Sequence, residues 1–232
     1  MSDATKEVKG FGSSYLVVGV PAGGRLTTVH WGVNLAAQIY PLNTATDYCV
    51  PEGYESDEAR DSIVQIAHEA NARWIWMLDD DVLPPNIAVQ RLMYAMIDQK
   101  TGRPYEDVIA CAGIYYSKSD IPQPVVFEGR GTGPYWGWKR GEVFEVPPEG
   151  FIGTGCMLIN PELIKKLERP WFRNIDGPDK STDDAYFCDK AHAAGFKILG
   201  HGGVLCGHYD HKRKKIHWPP GAMFQEPQEI GA

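Results

Sequence analysis

Three consecutive carboxylates, Asp79-Asp80-Asp81, follow five apolar residues, Trp74 to Leu78, and precede Val82-Leu83-Pro84-Pro85. Adjacent carboxylates repel one another and resist ionising together, and a bound divalent cation relieves that repulsion. Carboxylate oxygens suit Mg²⁺ or Mn²⁺, and these ions in turn bridge phosphate oxygens. Trp74 to Leu78 reads as a strand buried on both faces. Ligands of open parallel sheets gather at the carboxyl ends of such strands. An extended triplet turns Asp79 and Asp81 to one face and Asp80 to the other. The plain alternative is a solvated acidic loop capping the next helix. The buried strand in front and the double proline behind favour a site. The loop lacks the glycine and later carboxylates of an EF-hand.

Three more groups could do chemistry. Ser181-Thr182-Asp183-Asp184 precedes an amphipathic stretch; taken alone it is a capping box, with Ser181 answered by Asp184. Gly153-Thr154-Gly155, alone, is a tight turn. Cys206-Gly207-His208-Tyr209 ends an apolar run and is followed by His211-Lys212-Arg213-Lys214-Lys215. A histidine at a strand end beside basic residues suits a metal–diphosphate site. Lys212 to Lys215 are expected to close over the phosphates as a flexible lid. Tyr135, Trp136 and Trp138 are placed to stack on a sugar or a base, with cross-strand packing an equal alternative.

The elements that must position these groups alternate between strand and helix. Tyr15 to Val20 reads as a buried strand ending in the turn Pro21-Ala22-Gly23-Gly24. Val33, Ala36, Ala37 and Tyr40 fall at helical spacing, and Thr46 to Val50 is a second strand. Ala59, Ile63, Ile66, Ala67 and Ala70 mark a second helix. Pro84-Pro85 opens a third, with Ala88, Leu92, Ala95 and Met96 on one face. This order predicts an α/β fold with a mostly parallel sheet flanked by helices. The second half reads as mixed α+β. Val108 to Tyr116, Pro124 to Phe127, Glu142 to Val146 and Cys156 to Ile159 are expected strands. Asn160 caps a helix with Pro161 at its first position. Ser181 or Thr182 caps another that stops at Gly195. Lys197 to Leu199 and Val204 to Cys206 are the last expected strands, and Met1 to Gly12 and Pro219 to Ala232 read as loose tails. One domain over residues 1–232 is expected, with a nucleotide-binding half at 14–116, a catalytic half at 117–210 and a basic lid and tail at 211–232.

Composition narrows the setting. With 232 residues, 43% apolar and 23% charged, the chain reads as an ordinary globular domain. A net charge of −7 makes nucleic acid a weak first guess for a partner. The five cysteines are odd in number and never form a C-x-x-C pair, which argues for reduced core thiols in a cytoplasmic protein. No signal-like or membrane-spanning apolar run occurs in the sequence.

Taken in order, Ala59-Arg60-Asp61, Leu78-Asp79-Asp80-Asp81, Gly153-Thr154-Gly155, Thr182-Asp183-Asp184-Ala185-Tyr186-Phe187 and His208 resemble the family 2-type glycosyltransferases of the GT-A fold. The resemblance runs over roughly Tyr15 to Asp210 and is nearest to short, stand-alone viral and archaeal members. It implies a Rossmann-like GT-A domain that moves a sugar from a nucleotide-sugar to an acceptor hydroxyl with inversion. The cofactors it implies are Mn²⁺ or Mg²⁺ and a UDP-sugar first, a GDP-sugar second. By that resemblance Asp79 lies near the ribose or the metal, Asp81 binds the metal and His208 completes its shell. Asp80, Pro21 and Lys212 then belong to the cofactor side with Asp79. Asp184, with Asp183 beside it, is the general base, and Arg60 contacts the nucleotide or supports the acidic loop. Gly153, Thr154, Gly155, Trp136 and Trp138 belong to the sugar and acceptor side.

Three departures accompany the likeness. Val50-Pro51-Glu52-Gly53 stands where an acidic nucleotide-binding element is usual, so uridine, cytidine and guanosine stay open. Ala-Arg-Asp replaces Ala-Arg-Asn, and the Gln-x-x-Arg-Trp motif of polymerising members is absent. The acceptor is left open among a small molecule, a glycan, a protein side chain and a hydroxymethylated DNA base. The rival is a haloacid-dehalogenase-type phosphatase with Asp79 as nucleophile and Asp81 as acid/base. That motif belongs on a first strand, whereas two strand–helix units come before it here.

Overall fold

The structure, a computed structural model, describes residues 14–22, 27–177 and 180–220. The expected turn at Gly23-Gly24, the tail from Met1 and most of the tail to Ala232 lie outside those residues. In chain order the elements are β1 (Ser14–Gly19), α1 (Val29–Ala36), β2 (Thr44–Cys49), α2 (Ser56–Glu69), β3 (Trp74–Leu78), β4 (Val82–Leu83) and α3 (Ala88–Ala95). Then come β5 (Ile97–Asp98), β6 (Arg103–Pro104), β7 (Val108–Ile114), β8 (Val126–Phe127), β9 (Val143–Glu145), β10 (Phe151–Ile152) and β11 (Cys156–Ile159). The chain closes with α4 (Pro161–Ile164), α5 (Asp183–Ala193), β12 (Lys197–Leu205), β13 (Gly207–Asp210) and β14 (Lys215–His217).

Seven strands form the central sheet in the order β2-β1-β3-β11-β7-β12-β9. β1 lies parallel to β2 and β3, and β7 parallel to β12. β11 runs against β3 and β7, and β9 against β12. Most of the sheet therefore points one way, as expected for an α/β fold. Strands from both halves of the sequence share it, with β11 lying between β3 and β7.

Alternation along the strands builds two cores. Ile75 and Met77 of β3 join Ile63, Val64 and Ala67 of α2, Leu163 and Ile164 of α4 and Phe187 of α5 on one face. Trp74, Trp76 and Leu78 join Trp31 of α1, Leu92 of α3 and Met96 just after it on the other. Successive strand side chains point to opposite faces, so one run fills both cores. Each fully buried Leu or Ile contributes about 1.5–3 kcal/mol. Gly19 lets α2 lie close over β1, because a Cβ there would meet Ile63 Cγ2 at 2.3 Å.

The chain winds from β1 outward to β2, then back past β1 to β3. The carboxyl ends of β1 and β3 therefore flank a point where the winding reverses, which is where open α/β sheets place a crevice. Asp79 follows β3 directly at that edge.

Two expectations are corrected. Lys197 to Leu199 and Val204 to Cys206 are not separate strands; β12 is continuous and absorbs extra residues at a register shift between His201 and Leu205. Arg91 donates to the Gly203 carbonyl at that irregularity. The basic run is not a free lid where it is described. Residues 211–214 are the turn of the β13–β14 hairpin, and β13 pairs with β4. No helix among the described residues is long and apolar enough to cross a membrane.

Candidate functional site

The acidic triplet is a turn, not an extended run. The Val82 N–H donates to the Asp79 carbonyl at 3.1 Å. β4 has to reach β13, so the chain must reverse straight after β3, and a tight turn accomplishes this. The expected common face for Asp79 and Asp81 is thereby lost. Asp79 Oδ1 takes a hydrogen bond from Arg60 at 2.7 Å, whereas Asp81 faces Lys118 and His208. Asp80 is buried, and its carbonyl accepts from Thr27 Oγ1 at 2.8 Å. Helix α1 braces the turn as well, since Trp31 Nε1 donates to the Asp79 carbonyl at 2.8 Å.

Arg60 joins two motifs far apart in sequence. It is buried on α2 and donates from Nη1 to Asp183 Oδ2 at 2.6 Å while Nη2 holds Asp79. Burial alone would weaken its charge, but Asp79, Asp183 and Asp184 more than offset that and hold it cationic. The expectation that Arg60 supports the acidic loop agrees with this geometry.

Thr182, not Ser181, caps α5, with Oγ1 accepting from the Ala185 N–H. The first-turn position of Asp183 and Asp184 suits the positive end of the helix dipole. Asp184 is thus spared the capping role and accepts a 2.5 Å hydrogen bond from Thr154 Oγ1. Burial and the neighbouring Asp183 push its carboxyl up to about 7, against the opposing pull of Arg60 and Thr154. A carboxylate tuned there is suited to take a proton near neutral pH. Thr154, expected on the sugar side, therefore also holds Asp184.

β13 carries His208 to the acidic turn. The Tyr209 N–H donates to the Asp81 carbonyl at 2.7 Å, and His208 pairs with Val82 across the strands. His208 Nδ1 lies 2.7 Å from the Tyr116 carbonyl, which can only accept, so Nδ1 carries the proton. Nε2 then faces Asp81 Oδ1 at 3.4 Å. A proton on Nε2, or a cation between the two atoms, makes the contact attractive. Burial raises the Asp81 carboxyl, but His208 and Lys118 outweigh it and hold it well below the usual range. A carboxylate oxygen and an imidazole nitrogen are both ligand types that a divalent cation such as Mn²⁺ accepts. Among the described residues no three His, Cys, Asp or Glu side chains gather into a metal-holding group. Asp79 is turned to Arg60 instead, within electrostatic reach of Asp81 and His208.

The remaining candidates divide. Gly153 and Gly155 make room for Tyr115 and the acidic turn: a Cβ on Gly153 would meet the Tyr115 hydroxyl at 2.1 Å, and one on Gly155 would meet Asp79 Oδ2 at 2.9 Å. Pro21 is buried just beyond β1. Trp136 is 58% exposed and edges onto Tyr116. Trp138 instead stacks on Phe144 with ring centroids 6.2 Å apart, so packing decides its place. Lys212 is exposed on the hairpin turn, its N–H donating to Asp210.

Sequence reasoning missed Tyr115 and Lys118. Tyr115 accepts from the Gly155 N–H at 3.3 Å, and burial with Asp184 and Asp79 nearby keeps its hydroxyl protonated. Both follow the carboxyl end of β7, the same sheet edge as Asp79, and that position was the available signal. Two hollows lie away from the centre itself. One of about 720 Å³, lined by Asn71, Arg73 and Arg103, sits at the opposite sheet edge. One of about 620 Å³ is lined by Arg130, Ser181 and Tyr186, the last two flanking Asp183-Asp184 in sequence.

No protein-family model matches the chain, and no curated protein matches it. Among solved structures it is similar to the crystal structure of A197 from STIV, at 18% identity over 93% of this chain and 99% of that chain, with a TM-score of 0.59. At that identity the likeness is one of fold.

Proposed function

We propose that the chain is a metal-dependent glycosyltransferase of GT-A type that moves a sugar from a nucleotide-sugar, a UDP-sugar first and a GDP-sugar second, to an acceptor hydroxyl with inversion. One observation carries this reading. The donor pair Asp81–His208 and the separate carboxylate Asp184 are tied to one sheet edge through Asp79, Arg60 and Asp183. A cation site and a base near pH 7 are the two parts that direct displacement from a diphosphate needs.

A divalent cation on Asp81 and His208 would neutralise charge developing on the departing nucleoside diphosphate. Asp184 takes the proton of the acceptor hydroxyl as that oxygen bonds to the anomeric carbon and the bond to the diphosphate breaks. A single displacement of this kind inverts the configuration. Thr154 orients the base, and Arg60 fixes both acidic segments against their mutual repulsion. Asp79, Asp80 and Pro21 border the nucleotide side, and Trp136 offers an exposed ring for a sugar or base. The 620 Å³ hollow beside α5 is the acceptor's approach in this reading. The phosphatase alternative asks for a free Asp79 nucleophile, and the Arg60 hydrogen bond gives it no support.

Calorimetric titration with UDP- and GDP-sugars, followed by an acceptor screen, tests the assignment. One donor should bind, and the product should carry the inverted anomeric configuration by NMR. Absence of binding by every nucleotide-sugar, with Mn²⁺ present, contradicts it.

A further inference from the structure

Lys118 stands on the cation site. Its Nζ lies 2.5 Å from Asp81 Oδ2, while Asp81 Oδ1 faces His208. Both oxygens of one buried carboxylate are thus engaged, one by a fixed ammonium. The backbone that carries Lys118 is held firmly. The Ser117 N–H donates to the Gln123 carbonyl at 2.8 Å, and Arg213 Nη1 donates to the Lys118 carbonyl at 2.7 Å. Arg213 also binds Asp120 and Asp210. The basic run noted in the sequence therefore anchors this loop through Arg213. The Lys118 side chain is 29% exposed, and its four-carbon stem can turn about a fixed base.

We infer that Lys118 is a resident counter-cation that competes with a divalent metal for Asp81 and, once displaced, serves as a ligand for the diphosphate. The inference rests on the metal site proposed above. An ammonium at Asp81 repels an incoming divalent ion and has already neutralised the carboxylate that would attract it. A diphosphate arriving with the metal offers the ammonium a new anionic partner. Metal and diphosphate then favour one another's binding, and the coupling is reciprocal. Such a device keeps the acidic turn charge-balanced between turnovers and makes the metal bind well only with its anionic substrate.

The test measures Mn²⁺ alone by loss of the free-ion EPR signal, and inorganic pyrophosphate at saturating Mn²⁺ by calorimetry. Wild type is compared with Lys118→Met and Lys118→Arg. Lys118→Met should bind Mn²⁺ tighter by about 5- to 150-fold and pyrophosphate more weakly by a similar factor. Lys118→Arg should stay near wild type for both. Opposite signs from one substitution separate this role from simple damage, which weakens both ligands. Unchanged or weaker Mn²⁺ binding in Lys118→Met overturns the competition, and unchanged pyrophosphate binding overturns the ligand role. If no variant binds Mn²⁺ at all, the metal site itself falls and this inference falls with it.

Discussion

Arg60 donates to Asp183 at 2.6 Å across 123 positions of sequence. Its other terminal nitrogen holds Asp79, so one guanidinium fastens the turn after β3 to the start of α5. Removing one partner of a buried ion pair leaves an uncompensated charge, which costs about 3–5 kcal/mol. Arg60→Met should lower unfolding stability by that amount in denaturant titrations. Arg60→Lys should recover only part of the loss, since an ammonium cannot span both carboxylates as a planar fork does.

As the proposed base, Asp184 should set the pH dependence. Its carboxyl is pushed from an ordinary 3.8 up to about 7, chiefly by burial. As a base it must be ionised, so kcat/KM should rise with pH to a plateau with a midpoint near 7. Asp184→Asn should abolish this rise along with transfer. The stability effect has the opposite sign. A group whose folded pKa exceeds its unfolded value stabilises the fold below the unfolded value, and that contribution is lost as pH rises through the folded one. Asp184→Asn should therefore gain in Tm over wild type at pH 8 relative to pH 5. An equal difference at both pH values contradicts the raised pKa.

Gly155 lies where the acidic turn crosses the segment that carries Thr154. A Cβ there falls 2.9 Å from Asp79 Oδ2, 3.0 Å from Val82 Cγ2 and 3.1 Å from Tyr115 Cζ. Gly155→Ala should cost about 1–3 kcal/mol by overpacking. Displacement of the turn should lower kcat roughly a hundredfold. Full activity in a stably folded Gly155→Ala protein is the contrary outcome.

The two tryptophans separate binding from packing. Trp138 stacks on Phe144 against the end of the sheet, so Trp138→Ala should destabilise by about 3 kcal/mol. Trp136 is exposed, and Trp136→Ala should leave stability within about 0.5 kcal/mol. Its effect should fall on KM for sugar donor or acceptor. Equal loss of stability in both variants removes Trp136 from the site.

Much of the frame can be read from apolar runs with sharp ends. Trp74–Leu78 and Cys156–Ile159 are strands over the residues their patterns mark, and Asn160 caps α4 with Pro161 at its first position. Where an element is short, polar and paired at long range, the pattern is silent. β13 and β14 hold His208 and His217 in strands of a few residues, and β4, the partner of β13, has two. The site is legible to the same degree. Asp81, His208 and Asp184 stand out by type and position. The turn that separates Asp79 from Asp81 depends on β4 pairing with β13, so sequence alternation misplaces it. Lys118 reaches Asp81 from a loop held by the Ser117–Gln123 hydrogen bond and by Arg213 of the hairpin, the latter a contact between residues 95 apart.

In the proposed mechanism Asp81 holds a cation used to release a nucleoside diphosphate. The direct measurement is release of nucleoside diphosphate from a panel of nucleotide-sugars, with and without Mn²⁺, in wild type and Asp81→Ala. Slow release from one donor that requires Mn²⁺ and is lost in the variant is the expected result. No donor turnover, together with Asp79-dependent hydrolysis of simple phosphomonoesters, would contradict the account.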